Sequence, residues 1–174
     1  MKIFKKRKNK VYPNREARRG FVILFSVMLS SIVLAIALGI SNTAVREINF
    51  GTSAREAGDA FFAADTGAEC ALANDKSGSV SFTVSGSSGT VFCLGGTIAT
   101  AHSSAGNLHI WDFAISGLGG GNDSCARVRM TKDFTDPSAP ITIMSSKGYN
   151  NGGTVAGACT QSATSLEREL ELRY

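Results

Sequence analysis

Hydrophobic residues follow three successive patterns along this chain, and the first is a long apolar run. No charged residue occurs from Phe21 through Val45. A helix over this stretch would rise about 1.5 Å per residue, or roughly 37 Å in all, which exceeds the ~30 Å hydrocarbon core of a bilayer. Residues 21–45 are therefore predicted to form a hydrophobic helix that is long enough to span a membrane.

The second pattern is a helical stripe over residues 46–75. Small and apolar residues recur there at steps of three and four, and acidic residues fall beside the stripe or at its edges. This spacing is typical of one face of an amphipathic helix. The helix is thus predicted to continue into a globular head and to end near Asn74, where helix-stopping residues follow. Its expected packing face consists of Ala54, Ala57, Phe61, Ala64 and Ala68, continued by Ala71 and Leu72.

The third pattern is an alternation with period two, which begins beyond residue 78 and is typical of strands. Val80, Phe82 and Val84 alternate with polar residues, and glycine and serine follow at 85–89. We expect Thr90–Cys93 to return across that turn as the second strand of a hairpin. Other expected strands cover residues 109–115, 126–131 and 141–144.

The strongest strand signal lies at residues 166–174. Glu167, Glu169, Glu171 and Arg173 fall on one side of an extended chain, whereas leucine and tyrosine fall on the other. A helix would scatter these residues, but a strand with one solvated face sorts them. Connections between the expected strands are too short for repeated helical crossovers, so the sheet should be antiparallel. The predicted fold is α+β, a long N-terminal helix packed on a small antiparallel sheet formed by residues 76–174.

Charge is distributed unevenly and indicates an orientation. Residues 1–19 carry nine of the 18 Lys and Arg and one of the 14 acidic residues, so the basic pI describes the leader, residues 1–20, and not the rest. Basic flanks resist translocation, which places the leader in the cytoplasm and the C-terminal domain outside. Because the bases adjoin a predicted membrane span, topology explains them better than nucleic-acid binding, and no nucleic-acid partner is expected.

The four cysteines all follow the apolar run, and none shows CxxC spacing. Neither histidine, His102 or His109, lies in a recognisable ligand cluster, so no metal site and no cofactor are expected. An even number of cysteines in an oxidising compartment indicates disulfides, with three connectivities open and free thiols as the alternative. We favour the two local pairs, Cys70–Cys93 and Cys125–Cys159.

Two sequence features together resemble a known family. The first is a basic leader that ends at Gly20 and is followed by Phe21 and an apolar helix. The second is Arg46-Glu47-Ile48 followed by the alanine- and phenylalanine-rich segment 54–69. Over residues 18–72 the chain resembles type IV pilin-like proteins with a class III signal peptide, most closely the PilX-type minor pilins.

The resemblance implies a processing site and a set of partners. A prepilin peptidase would cleave between Gly20 and Phe21, and the new amino group of Phe21 would be methylated. The chain would begin in the bacterial cytoplasmic membrane as a single-pass protein with its C-terminal domain outside, and would reach the cell surface or a pilus with other pilin or pseudopilin subunits. The implied function is that of a minor pilin-like subunit that helps to assemble, prime or cap the filament.

One departure from the family pattern narrows this expectation. Major pilins carry glutamate at the fifth mature position, which is Phe25 here. An apolar side chain cannot compensate the charge of a neighbouring subunit's terminal amine. The absence favours a minor subunit at the tip, where no preceding neighbour has an amine to neutralise.

One other interpretation stays open at this point. The apolar run is also compatible with an unprocessed signal anchor that carries a surface adhesin or binding module outside any filament. For catalysis, no Ser/His/Asp or Cys/His set is recognisable, and the glycine-rich segment 117–121 lacks the lysine and helix of a phosphate loop. We therefore expect a protein that is not an enzyme.

Overall fold

A computed structural model describes residues 17–77, 82–83 and 89–174, with backbone only for residues 17–20. The chain divides into two compact units at Asn49/Phe50. Residues 1–16 of the predicted basic leader lie outside the described residues. The architecture is α+β, as the hydrophobic patterns predict. The described residues form one long helix and seven strands, of which those over residues 96–99 and 101–105 were not predicted.

The helix α1 covers Ala17–Lys76 and therefore contains both the apolar run and the amphipathic stripe. The strands are β1 (Thr90–Cys93), β2 (Gly96–Ala99), β3 (Ala101–Ala105), β4 (Leu108–Leu118), β5 (Ser124–Asp133), β6 (Ile141–Tyr149) and β7 (Glu167–Arg173). β1 and β2 form a two-stranded sheet, and the other five form an antiparallel sheet in sequential order, β3-β4-β5-β6-β7.

The predicted hairpin between residues 80–84 and β1 is wrong. β1 pairs with β2 in a two-stranded sheet, and Phe82 lies outside any strand, whereas Val80 and Val84 lie outside the described residues. Leu94 and Gly95 join β1 to β2 with positive φ values of 52° and 79°. Two such residues match the right-handed twist of the flanking strands. The partner of β1 is therefore the strand that follows it in the sequence, not the segment that precedes it.

The core lies between α1 and one face of the five-stranded sheet. Buried residues alternate along β4, β5 and β6, which is the period of strands with one covered face. The central side chain is Trp111, which is fully buried and contacts the ring of Phe82 edge-on at 5.6 Å. Around it pack Phe113, Ile115, Val128, Met130 and Met144, with Ala63, Ala68 and Ala71 from α1.

The strand predicted at the C-terminal end is present as β7, but its apolar side is only partly covered. Leu170 is half-buried, and Leu172 and Tyr174 are 37% and 39% exposed. β7 is the edge strand of the sheet, next to β6. An edge position has only one neighbour, so the expected clean division into a wet and a dry face does not develop there.

Candidate functional site

The N-terminal part of α1 presents a continuous apolar surface. Every large hydrophobic side chain from Phe21 to Ile40 is between 47% and 73% exposed. By length and composition, this part of α1 is long and apolar enough to cross a membrane. The hydroxyls of Ser26 and Ser31 donate to the carbonyl oxygens of Ile23 and Met28 at 2.9 and 2.8 Å. Because these polar groups are satisfied within the helix, they add little to the cost of an apolar environment.

The expected processing junction, Gly20–Phe21, lies within α1, where the backbone is helical on both sides. The Phe21 side chain is 73% exposed, and its ring stacks with that of Phe25 at 6.5 Å between centroids. Phe25 thus lies one helical turn beyond Phe21 on the same face. No charged side chain occurs between Phe21 and Val45.

The C-terminal part of α1 lies with its backbone directly against the sheet. A Cβ atom at Gly148 of β6 would overlap the carbonyl oxygen of Ala60 and the amide nitrogen of Ala64. On the helix, a Cβ at Gly67 would overlap the hydroxyl of Ser146, which lies on β6. This hydroxyl donates a 2.6 Å hydrogen bond to the Ala64 carbonyl oxygen. Glycine and alanine are therefore required here by distance of approach, not by helix or strand propensity.

The expected packing face of α1 needs correction at two positions. Ala64 and Ala68 are buried and Ala57 is half-buried, but Ala54 and Phe61 are exposed, Phe61 by 45%. Because the backbone of α1 touches Gly148, only small side chains fit beneath the helix, and the phenylalanine points away. The residues that replace the two in the contact are Ala60, Ala63 and Gly67.

The end of α1 is joined to β1 by a disulfide and by one amide side chain. The Cys70–Cys93 bridge, one of the two predicted pairs, is formed with its Cα atoms 5.7 Å apart. Asn74 donates through Nδ2 to the Phe92 carbonyl oxygen and accepts through Oδ1 from the Phe92 amide, both at 3.0 Å. The side chain of Asn74 thus makes the two hydrogen bonds that a neighbouring strand would make.

A buried ion pair lies one residue further along the helix. Lys132 Nζ contacts Asp75 Oδ1, and the two side chains are only 10% and 7% exposed. The other carboxylate oxygen of Asp75 accepts a 2.7 Å hydrogen bond from the Tyr174 hydroxyl, and Lys76 Nζ lies 4.0 Å from the centre of the tyrosine ring. Burial, followed by the bond with Asp75, raises the pKa of Tyr174. Sequence reasoning missed this cluster because its members come from three distant segments.

The second predicted disulfide, Cys125–Cys159, joins β5 to the loop before β7, with its Cα atoms 5.5 Å apart. Both disulfides follow the predicted local pairing, and among the described residues no cysteine is free. The bridged residues lie 23 and 34 positions apart. In the chain-entropy account, a disulfide that closes a loop of this size stabilises the folded state by about 3–4 kcal/mol. The same loop is held by Arg127, whose guanidinium donates to the Cys159 carbonyl oxygen at 2.8 Å through Nε.

The sheet face opposite α1 carries the other candidate surface, an open groove of about 980 Å³. Its lining includes two pairs of opposite charges, Arg129 with Asp112 at 2.7 Å and Lys147 with Glu169 at 3.5 Å. Lys147 also contacts Glu167 of β7 at 3.0 Å. The hydrogen bond from Lys147 and then that from Tyr149 lower the pKa of Glu167. Burial raises the pKa of Tyr149 itself. Since acids and bases pair across the strands, the groove presents a polar surface without a dominant sign of charge.

The described residues contain no group of three or more His, Cys, Asp or Glu side chains that could hold a metal ion. Comparisons of the chain with protein families, with curated proteins and with solved structures give no match.

Proposed function

We propose that this chain is a minor pilin-like structural subunit that helps to assemble, prime or cap a type IV pilus or a related secretion filament. The observation that carries the proposal is the composition of α1. One helix contains an apolar segment with every large side chain exposed, and then a segment whose alanine and glycine face lies against an antiparallel sheet. An apolar surface of that size needs lipid or neighbouring helices to cover it.

Processing at Gly20–Phe21 gives the exposed segment a physical role. The leader carries nine bases and one acid through residue 19. A helix that keeps this charge is held at the cytoplasmic surface, since extraction would draw the charges through the hydrocarbon. Once the leader is removed, the apolar helix can exchange lipid for other helices, and its serines and alanines allow close approach. The orientation with the sheet domain outside belongs to the same proposal.

Processing is the first prediction from this proposal. In the native host, we expect a mature chain that begins at Phe21 with a methylated amino group, as measured by intact mass. Gly20→Val is expected to abolish cleavage because it places a branched side chain directly before the peptide bond that the peptidase would cut. Gly39→Val is the matched control, since a Cβ at Gly39 meets nothing within 4 Å. An intact leader on the wild-type protein would contradict the filament proposal and favour a signal anchor.

Filament number provides the second prediction. Deletion of the gene is expected to reduce the count of surface pili, and complementation with the wild-type gene is expected to restore it. Complementation with the uncleaved Gly20→Val variant should not restore it. Antibody labelling tests the tip assignment, which rests on Phe25 in place of the family's glutamate. Regular labelling along the filament would contradict a tip position.

A binding module on the same anchor is the second candidate function, and the groove favours it. The groove is wide enough for a ligand and is lined by polar side chains from four strands, among them Asp112, Arg127, Lys147 and Glu169. Loss of adhesion with a normal number of pili would support this function over assembly.

A further inference from the structure

The two histidines of the chain face each other across strands β3 and β4. His102 Nε2 and His109 Nδ1 lie 3.1 Å apart, and the ring centroids are separated by 5.2 Å. In the register of the two strands, His102 pairs with Trp111 and His109 with Ser104, so the imidazoles are diagonal neighbours. Both rings also stack near Trp111, at 4.9 and 5.8 Å between centroids.

A contact of this kind requires one proton between the two rings. Each neutral imidazole has one N–H donor and one acceptor nitrogen, and the cation has two donors. With one proton at the contact, one nitrogen donates and the other accepts. With both rings cationic, two N–H groups face each other and two positive charges lie within a few ångströms. The observed contact is therefore incompatible with the doubly protonated pair.

The surroundings contain no spare anion for a second positive charge among the described residues. On β5, Lys132 is the cross-strand partner of His109 and occupies the same face. On α1, Asp75 already pairs with Lys132 and accepts from Tyr174, whose ring is covered by Lys76. The remaining neighbours are aromatic: Phe134 lies edge-on to His109 at 5.3 Å, and Phe82 contacts Trp111.

The strand that carries His102 is the edge strand β3, which pairs only with β4. His102 is the one half-buried residue of Ala101–Ala105, and the other four are exposed. Apart from the backbone ladder, the side chain of His102 thus attaches β3 to the sheet through its contacts with His109 and Trp111. The other edge strand, β7, has no histidine.

We propose that the His102–His109 pair is a pH-sensitive attachment of strand β3. With one proton at the contact, the two rings hold β3 against β4. When both rings are cationic, the contact breaks and β3 separates from the sheet while β4–β7 stay paired. This inference depends on the fold alone and is independent of the proposed pilus function.

Hydrogen exchange of the full-length chain in detergent tests the proposal. Exchange is measured at about pH 7.5 and at about pH 5.5. After correction for the intrinsic rate, the β3 amides of the wild type are expected to lose about tenfold in protection at the lower pH, while β7 amides keep theirs. The fluorescence of Trp111, the only tryptophan, is expected to change over the same range.

His102→Gln is the matched variant. A glutamine amide can donate to or accept from His109 in either protonation state. Protection of β3 should then be the same at both values of pH, and His109→Gln should behave in the same way from the other side of the pair. Equal pH dependence in the wild type and both variants would overturn the proposal. So would unchanged β3 protection in a wild type whose two imidazoles are both shown by NMR to be protonated.

Discussion

Gly148→Ala is expected to destabilise the sheet domain by about 3 kcal/mol or more, because the new methyl group cannot be accommodated without moving α1. The space that a Cβ would need is occupied by the backbone of α1 at Ala60 and Ala64, not by a side chain that can rotate away. Either the helix lifts off β6 or the strand bends. Both responses separate the alanine face from the sheet and weaken the Ser146–Ala64 hydrogen bond.

The measurement is urea unfolding of the full-length, oxidised chain in detergent, followed by the fluorescence of the buried Trp111. Gly96→Ala is the matched control: Gly96 is also a strand glycine, but the nearest atom to a Cβ there is the Cys93 carbonyl oxygen at 3.9 Å. This substitution should change the free energy of unfolding by less than about 0.5 kcal/mol. Equal losses at the two positions would contradict the close approach of helix and strand.

Lys132→Met is expected to cost about 3–5 kcal/mol, since it leaves the Asp75 carboxylate buried with only the Tyr174 hydroxyl as its described polar partner. The cost arises from the stranded charge and not from the loss of attraction alone. A double variant, Lys132→Met with Asp75→Asn, removes both charges and keeps an oxygen that can accept from Tyr174. It should recover most of the lost stability, and the coupling between the two sites is read from the double-mutant cycle.

The exposed pair on the opposite face is the control for the buried pair. Arg129 and Asp112 are also in direct contact, but their side chains are 64% and 42% exposed. Arg129→Met should therefore cost less than about 1 kcal/mol. If it cost as much as Lys132→Met, the distinction between buried and solvated charges in this sheet would be wrong. Failure of the double variant to recover stability would show that the charge of Asp75 is not the source of the loss.

Sequence periodicity predicted the type of each element where one face of it is consistently covered. β4, β5 and β6 alternate because α1 covers one side of them, and residues 109–115, 126–131 and 141–144 were predicted as strands for that reason. Which strands pair with each other could not be predicted from periodicity. Alternation near residues 80–84 and in β1 does not show which strands meet, and the turn at Leu94-Gly95 has an unusual non-glycine residue at positive φ.

The prediction from hydrophobicity was wrong where the size of a side chain decides whether it fits between the helix and the sheet. Phe61 and Ala60 are adjacent on the helix, and a hydrophobic scale prefers the phenylalanine for the core. The glycine at 148 brings the backbones together, so alanine is buried and phenylalanine is exposed. The disulfides were predictable because each pair is local. The Asp75–Lys132 and His102–His109 contacts were not, since both depend on strand register and on which face each residue occupies.

The amide of Asn74 also limits how the small β1–β2 sheet can associate with other chains. A two-stranded sheet has two free edges, and unpaired backbone groups at an edge attract strands from other molecules. Here the Phe92 N–H and C=O are both bonded to Asn74. The C-terminal end of α1 therefore covers the free edge of β1 at Phe92. Self-association by strand addition is then disfavoured at this edge without a charged residue or a proline in β1.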